Sequence, residues 1–520
     1  MLQIKNLTLL HKKDLHELIK DFNFVLNPGD KAVLIGEEGN GKSTLLKWIY
    51  NPEIVEDYME AVGERVISGE RLGYLPQELP EKDQQKTIYE YFCEEENFYN
   101  QTPRELSELA ASLFFASDFF YSGQRMGTLS GGERVKLSLA RILLAMPTVL
   151  LLDEPSNDLD LETLIWLEQF LVKTKCAVLF ISHDEMLIEQ TANVIVHLEQ
   201  LKRKTESRAT VARMPYKQYL KERIENFSNQ ERQALNERRE EKKKQEKLRR
   251  VTQQVMHAMD VLPKDGSDSA GRLLKKKMKA VKSMERRYKK EAEEQTKLPE
   301  SEEAIFFKLC DIQIPAKKMV LEYSLKELIA ADSLEHRILA KDIFLRVIGG
   351  EKVCIIGANG AGKTTLLRQI SSILLARKDL KVCYIPQNYE ELLDLKKTPV
   401  EYLSVNGDRE EISRIRTYLG SLKFTADEMA HPAAELSGGQ KAKVLLLHTS
   451  LSGADVLVLD EPTRNFSPLS GPVIRNILKE YKGAIISISH DRKYIKEVCN
   501  TIYRLTLNGL CKVEKEELKL

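Results

Sequence analysis

Gly36-Glu37-Glu38-Gly39-Asn40-Gly41-Lys42-Ser43 follows the apolar run Lys31 to Ile35, and Gly357-Ala358-Asn359-Gly360-Ala361-Gly362-Lys363-Thr364 follows Lys352 to Ile356. Each stretch reads as a strand, a glycine loop and the start of a helix. Such a loop turns several backbone N–H groups toward one anion, and the helix dipole adds to the pull, so it forms a cradle for a phosphate chain. Lys42 and Lys363 add a point charge to the cradle. Ser43 and Thr364 add a hydroxyl suited to Mg²⁺, a hard cation that takes oxygen ligands. One octet of this form arises by chance in a long chain; two in the same strand-to-helix setting do not.

Outward from the loops, the rest of each half repeats in register. Both halves carry a Tyr-x-Pro-Gln segment (Tyr74 to Gln77; Tyr384 to Gln387), a Leu-Ser-Gly-Gly segment (Leu129 to Gly132; Leu436 to Gly439), an apolar strand ending in Asp-Glu-Pro, and Ile-Ser-His-Asp. From Ser130 to Asp153 is 23 residues, as from Ser437 to Asp460; from Glu154 to His183 is 29, as from Glu461 to His490. Val149 to Asp153 and Val456 to Asp460 read as buried strands whose terminal aspartates fall near the cation. Glu154 and Glu461 then stand where a water must be oriented or deprotonated, which phosphoryl transfer needs more than covalent help. A lone histidine is more often a packed residue than a ligand, but His183 and His490 share one offset and reach for the γ-phosphate from the end of the next strand.

Composition excludes several classes. At 520 residues, with 42% hydrophobic and 30% charged residues, the chain suits two or three domains with real cores. Its N-terminal apolar run is too short for a signal peptide, and no stretch approaches the roughly 18 apolar residues of a spanning helix, so no membrane crossing is expected. Seven cysteines, Cys93, Cys176, Cys310, Cys354, Cys383, Cys499 and Cys511, fall singly with no CxxC pair, which fits a reduced cytoplasmic compartment.

Between the halves the texture changes to long polar helix. Tyr216 to Lys297 holds 24 Lys+Arg against 14 Asp+Glu, a net of +10 in a chain whose total is +1. The positive charge is thus concentrated in the insert. Leu220, Ile224 and Phe227, then Leu248, Val251, Val255 and Leu262, fall at helical spacings, as do Leu274, Met278, Val281 and Tyr288. Leu262 to Asp268 contains the Pro and Gly of a turn. The expectation is an antiparallel helical hairpin projecting from the core, its first helix running from about Tyr216 to about Met259. The bland reading is a spacer with a solvated face. Against it, Lys242 to Lys244, Lys247, Arg249 and Arg250, then Arg272, Lys275 to Lys277, Lys279, Lys282, Arg286 and Arg287, flank the tip from both sides. That suits a phosphate-lined RNA cleft.

These residues resemble the Walker A, Q-loop, signature, Walker B and switch-histidine motifs of ABC ATPases, over nearly all of both halves. The fold implied is α/β: two tandem P-loop ABC nucleotide-binding domains, residues 1–207 and 299–520, joined by a long α-helical hairpin linker, 208–298. The resemblance implies ATP and Mg²⁺ as cofactors. It implies ATP-binding positions at Gly36, Gly39, Asn40, Gly41, Lys42, Ser43 and Thr44, and at Gly357, Asn359, Gly360, Ala361, Gly362, Lys363, Thr364 and Thr365. Metal ligation falls to Ser43, Gln77, Asp153, Thr364, Gln387 and Asp460, and catalysis to Glu154, Glu461, His183 and His490. In this family the signature of one domain closes on ATP held by the other. Lys42 would then share its ATP with Ser437, Gly438 and Gly439, and Lys363 with Ser130, Gly131 and Gly132, in a monomer that pairs its own cassettes.

With no membrane span and a basic helical insert, the chain resembles the ABC-F subfamily, whose members act on ribosomes through this linker. The resemblance implies the ribosome as partner, through its 23S rRNA and P-site tRNA, with Lys247, Arg249, Arg250, Met256, His257, Met259, Arg272, Lys275, Lys276 and Lys277 as candidate contacts. The first D-loop reads Ser156-Asn157-Asp158-Leu159-Asp160, but the second reads Thr463-Arg464-Asn465-Phe466-Ser467-Pro468. The second form is similar to Vga- and Lsa-type antibiotic-resistance members, which implies ribosome protection; a housekeeping translation factor is the alternative. An ATPase subunit of a membrane transporter would not need the basic hairpin, and a DNA-repair or chromosome ATPase would carry zinc cysteine pairs or far longer coiled coils. Where ABC proteins place an adenine-stacking aromatic, Leu9, Leu10 and His11 stand, so weak base selectivity is expected.

Overall fold

The computed structural model describes residues 1–13, 15–116, 118–202, 204–260, 268–293, 314–330 and 337–518, and these divide into two bodies. The first joins Met1–Tyr216 with Glu302–Leu520 and holds both repeated halves; the second begins at Lys217 and is helical.

The first half contains strands β1 (Leu2–His11), β2 (Glu17–Leu26), β3 (Lys31–Ile35), β4 (Met59–Ile67), β5 (Leu72–Leu75), β6 (Val149–Leu152), β7 (Ala177–Ile181), β8 (Val194–Leu201) and β9 (Glu206–Ala212). Six of them form a sheet in the order β5-β6-β7-β3-β8-β9, parallel except for the antiparallel edge strand β9. Every residue of β3, β6 and β7 is buried. A parallel sheet covered by helices on both faces requires continuous apolar strands of this kind, which is why they read as unbroken runs. β1, β2 and β4 form a separate antiparallel sheet whose inner face, with Leu2, Ile4, Leu7 and Phe24, joins the same core.

The second half repeats the plan with β10 (Met319–Ile329), β11 (Ile338–Ile348), β12 (Lys352–Ile356), β13 (Val382–Ile385), β14 (Val456–Asp460), β15 (Ala484–Ile488), β16 (Thr501–Thr506) and β17 (Gly509–Val513). Its sheet order is β13-β14-β15-β12-β16-β17, with β10 and β11 paired as a hairpin. In both sheets the glycine-loop strand lies next to the strand before the histidine, and that strand lies next to the one before Asp-Glu-Pro. The three motifs therefore emerge side by side at the carboxyl ends of parallel strands, where open α/β sheets bind ligands.

The helical body holds, from Lys217 on, the helix Tyr216–Asp260, 45 residues and about 68 Å at 1.5 Å per residue, and the helix Asp268–Glu293, 26 residues. Val255 and Val281 are buried and the Lys244 ammonium lies over the Tyr288 ring at 5.8 Å, so the apolar stripe serves as the packing seam. Ile224, counted in that stripe, is instead 67% exposed. Strand β9 runs to Ala212, past residue 208 at which the sequence alone starts the linker. Most of the expected turn (residues 262–267), Cys310 and the side chain of Met259 lie outside the described residues. No described helix is long and apolar enough to cross a membrane.

Candidate functional site

In the first glycine loop, Gly36 has φ 146° and a Cβ there would overlap the carbonyl oxygen of Leu198, so the loop's first turn admits only glycine. Asn40 is buried, and its amide donates to that same Leu198 oxygen at 3.0 Å, tying the loop to β8. Lys42 is buried and its ammonium donates to the carbonyls of Gly36 (2.9 Å) and Glu37 (2.8 Å). Lys363 makes the equivalent bonds to Gly357 (2.8 Å) and Ala358 (3.0 Å). Ser43 Oγ donates to Asp153 Oδ1 at 2.9 Å, so the loop and the end of β6 meet; Tyr74 reaches Asp153 Oδ2 at 3.4 Å. Thr44 bonds the Tyr58 hydroxyl.

Glu154 and Glu461 both sit in the left-handed backbone region, at φ 48° and 53°. Non-glycine residues occupy that region only when the surroundings hold them there, and such strain gathers at functional sites. The side chains around the two carboxylates differ. Glu154 accepts from Gln77 Nε2 at 3.1 Å and from Asn157 Nδ2, and faces His183 Nε2 at 3.4 Å. Burial opposes its charge, but the hydrogen bond and charge of His183, with Lys42 and Asn157, hold its carboxyl down at about 2. Glu461 is 3.8 Å from His490 Nε2, and burial beside negative Asp460 pushes it up to about 8. Burial and the charge of Lys363 push His490 down to about 4, leaving it neutral.

The two halves meet across these motifs. Ser130, Gly131, Lys363, Thr364, Thr365, Gln387, Asp460, Glu461 and His490 line one cavity of ≈ 970 Å³, so the first signature faces the second glycine loop. Asn359 Nδ2 donates to Asp158 O at 2.5 Å in this cleft. On the other side, Glu38 accepts from the Gly439 N–H at the start of the helix Gly438–Ser452. Its neighbour Glu37 accepts from Lys443 Nζ (2.8 Å), Ser467 Oγ (2.9 Å) and Ser470 Oγ (2.8 Å). The signature serines cap their helices: Ser130 with Glu133 and Ser437 with Gln440 form reciprocal capping boxes. Gly132 packs on Thr163, where a Cβ would stand 2.8 Å from Oγ1.

Three of the six residues of the divergent second D-loop bond the first half. Arg464 pairs with Asp158 at 2.9 Å, Ser467 bonds Glu37, and the Phe466 carbonyl accepts from His183 Nδ1 at 2.8 Å. A carbonyl only accepts, so Nδ1 carries a proton and Nε2 is the nitrogen turned to Glu154. Glu37, Glu38, Lys443, Arg464 and Ser467 were not among the candidate site residues, although Arg464 and Ser467 stand in the D-loop that departs in sequence. The available signal was the Glu-Glu pair in the first glycine loop where the second has Ala358-Asn359.

The donor sets fit a magnesium nucleotide. Asp460 Oδ2 is buried with no hydrogen-bond partner among the described residues, while Thr364 bonds the same carboxylate. A bare carboxylate oxygen beside a hydroxyl is what a hard divalent cation takes as ligands. In the helical body, Lys247, Arg249, Arg250, Met256, His257, Arg272, Lys275, Lys276 and Lys277 are all exposed.

Comparison with known proteins agrees with this geometry. The ABC transporter family profile matches residues 19–157 and 340–464, about half of the chain. The ribosome protection protein VmlR of Bacillus subtilis is 30% identical over 97% of this chain and 88% of its own length. ABC transporter F family member 2 of Arabidopsis thaliana is 27% identical over 95% of this chain and 75% of its own length. In fold, the chain is similar to an archaeal ribosome recycling factor solved with a ribosomal stalk protein, at TM-score 0.58 and 16% identity, covering 98% of this chain and 90% of that one. The chain belongs to the ABC transporter family of ATP-hydrolysing cassettes, in its F branch.

Proposed function

We propose that this chain is a cytoplasmic ribosome-protecting ATPase: closed on two ATP molecules, it inserts its basic hairpin near the P-site tRNA and peptidyl-transferase centre, displaces a bound antibiotic, and leaves on hydrolysis. The observation that carries this reading is the hairpin, whose cations flank its tip from both helices and are exposed, on a chain similar along 97% of its length to a ribosome protection protein. Lys and Arg on such a surface displace counterions from RNA phosphates, so binding must weaken steeply with salt.

Lys42 and Lys363 hold the phosphates within the glycine loops, and the opposite signatures, Ser437 to Gly439 and Ser130 to Gly132, add N–H and hydroxyl donors only when the cassettes meet. ATP therefore favours the closed pairing by differential contacts. When bound, Mg²⁺ neutralises charge on the phosphates; Ser43, Gln77 and Asp153, or Thr364, Gln387 and Asp460, are the side chains that would hold it. Glu154, ionised and fixed by Gln77, Asn157 and His183, orients the attacking water in the first cleft. The chain works as a monomer with intramolecular pairing.

The test is cosedimentation with ribosomes of a Glu154→Gln, Glu461→Gln double variant in ATP. Salt-sensitive comigration that disappears when Val251 to Arg272 is replaced by a short turn is the expected result. A folded, ATP-binding variant that stays in the supernatant would overturn the proposal. Similarity to F-family proteins not named for protection, such as that of Arabidopsis, favours a second reading as a housekeeping translation factor. Displacement of labelled antibiotic from ribosomes by the double variant separates the two.

A further inference from the structure

The two cassettes repeat at a constant offset of 307 residues, from Asp153 and Asp460 through His183 and His490. Along that register four charged positions reverse sign; one of them, Lys173 with Glu480, is exposed and of the opposite sense, and the other three share one sense. Glu168 corresponds to Arg475, Glu185 to Arg492 and Glu189 to Lys496. The first cassette is acidic at all three, the second basic.

Four of these residues, Glu168, Glu185, Arg475 and Arg492, meet between the cassettes. Arg475 holds Glu185 in a two-pronged contact, Nη1 to Oε1 at 2.6 Å and Nη2 to Oε2 at 3.2 Å. Arg492 Nη2 lies 2.8 Å from Glu168 Oε2 and 3.9 Å from Asp184 Oδ1. Lys493 joins Glu185 at 2.9 Å and also pairs with Glu189. Within the second cassette, Arg475 Nε also donates to Glu497 at 2.9 Å. Arg475, Glu185 and Arg492 are 3%, 6% and 4% exposed, so these charges are withdrawn from water in the pairing. Glu168, Glu185, Arg475 and Arg492 are not among the residues lining the nucleotide cavity.

The pattern is that of a two-fold interface. Position 168 of one cassette meets the equivalent of 185 on the other, and position 185 meets the equivalent of 168. In a symmetric pair each surface must complement itself. Here self-complementation is impossible. Two first cassettes would bring Glu168 against Glu185 twice, and two second cassettes would bring Arg475 against Arg492 twice. Like charges buried face to face exclude a partner as effectively as opposite charges admit one.

We infer that this sign-reversed cluster is the surface that selects the cassette partner: it fits a second cassette to a first and rejects a like one, so a second copy of the chain can engage only through the same unlike combination. The inference rests on the cassette pairing proposed above and is independent of the ribosome.

Two reversed full-length chains test it: Glu168→Arg with Glu185→Arg, and Arg475→Glu with Arg492→Glu. Each alone should fold, bind nucleotide, lose ATPase by about tenfold or more and expose the helices Leu161–Lys173 and Gly471–Glu480 to hydrogen exchange, since removing compensation from a buried pair strands its charges. Mixed one to one, the basic chain and the acidic chain should complement each other. The mixture should form a heterodimer at twice the 59.6 kDa monomer mass and regain ATPase. The four changes combined in one chain should restore part of the monomer activity and protection, since Lys493 and Glu497 keep their signs beside positions 185 and 475. Reversals that leave hydrogen exchange of both helices at the parent level, or a combined variant no better protected than the reversals, would overturn the inference. Parent-like ATPase with lost protection would instead tell against the composite sites. If a reversal does not fold, Glu185→Gln and Arg475→Gln carry the test: the two changes together should cost less protection than the sum of each alone, and strict additivity would sink the idea.

Discussion

Replacing Glu37 by Gln removes a carboxylate that the first glycine loop sends into the second cassette, where Lys443, Ser467 and Ser470 receive it. Burial by itself would raise its pKa, yet the charge and hydrogen bond of Lys443, with the two serine hydroxyls, hold it down at about 2 from the ordinary 4.5. At 1.36 kcal/mol per pKa unit, that is about 3 kcal/mol favouring the ionised carboxylate in the paired state. The Glu37 and Lys443 side chains are only 12% and 8% exposed, so solvent screens the pair little. Glu37→Gln should therefore destabilise the chain by about 3 kcal/mol, within the range for breaking a buried ion pair from one side. The cost should fall mostly on the closed pairing, because the partners sit on different cassettes. Chemical denaturation of the parent, Glu37→Gln, Lys443→Met and the double variant closes the cycle, and the double should recover part of the loss. The sign with pH also follows. A depressed folded pKa gives stability that is complete above the unfolded value near 4.5 and is lost as pH falls toward about 2, so the parent should weaken over that window and Glu37→Gln should lack this component. A single-variant cost below about 0.5 kcal/mol, or additive effects of the two changes, would refute the reasoning.

Two further outcomes are expected. Gly36→Ala should lower both thermal stability and nucleotide affinity, because its Cβ meets the Leu198 carbonyl oxygen; Gly39→Ala, at φ 85° with none of the described residues within 4 Å, should cost only about 1 kcal/mol of backbone strain, and thermal melts of the two compared directly would expose an error if they matched. Lys275→Ala, Lys276→Ala and Lys277→Ala together should reduce the slope of log ribosome affinity against log salt by about 2 without altering ribosome-free ATPase; an unchanged slope removes these lysines from the phosphate contacts.

The fold was legible because its signals are local and doubled. Glycine loops after apolar strands, the spacings of 23 and 29 residues, and the change to polar helix at Tyr216 need no knowledge of which parts touch. The hairpin's first helix starts at the expected Tyr216 for the same reason. Contacts between the halves were not legible. Glu37 and Lys443 are 406 residues apart in sequence, and only the two-fold arrangement makes them neighbours. The odd second D-loop stood out as a departure, but its partners Asp158, Glu37 and His183 follow only from three dimensions. Ile224 shows the opposite limit: helical spacing put it on the apolar stripe, yet beyond the packing seam nothing obliges that position to be covered.

The contacts around the first carboxylate form a circuit. Glu154 faces His183, whose ring bonds the Phe466 carbonyl; Ser467, the next residue, bonds Glu37; and the Glu37 carbonyl accepts from Lys42, whose charge bears on Glu154. A path that returns to its origin through both cassettes has no loose end at which a disturbance can be absorbed. When one bond opens, the others still join the same atoms the long way round, so single substitutions should understate what the ring holds, and the second break, wherever it falls, should cost more than the first.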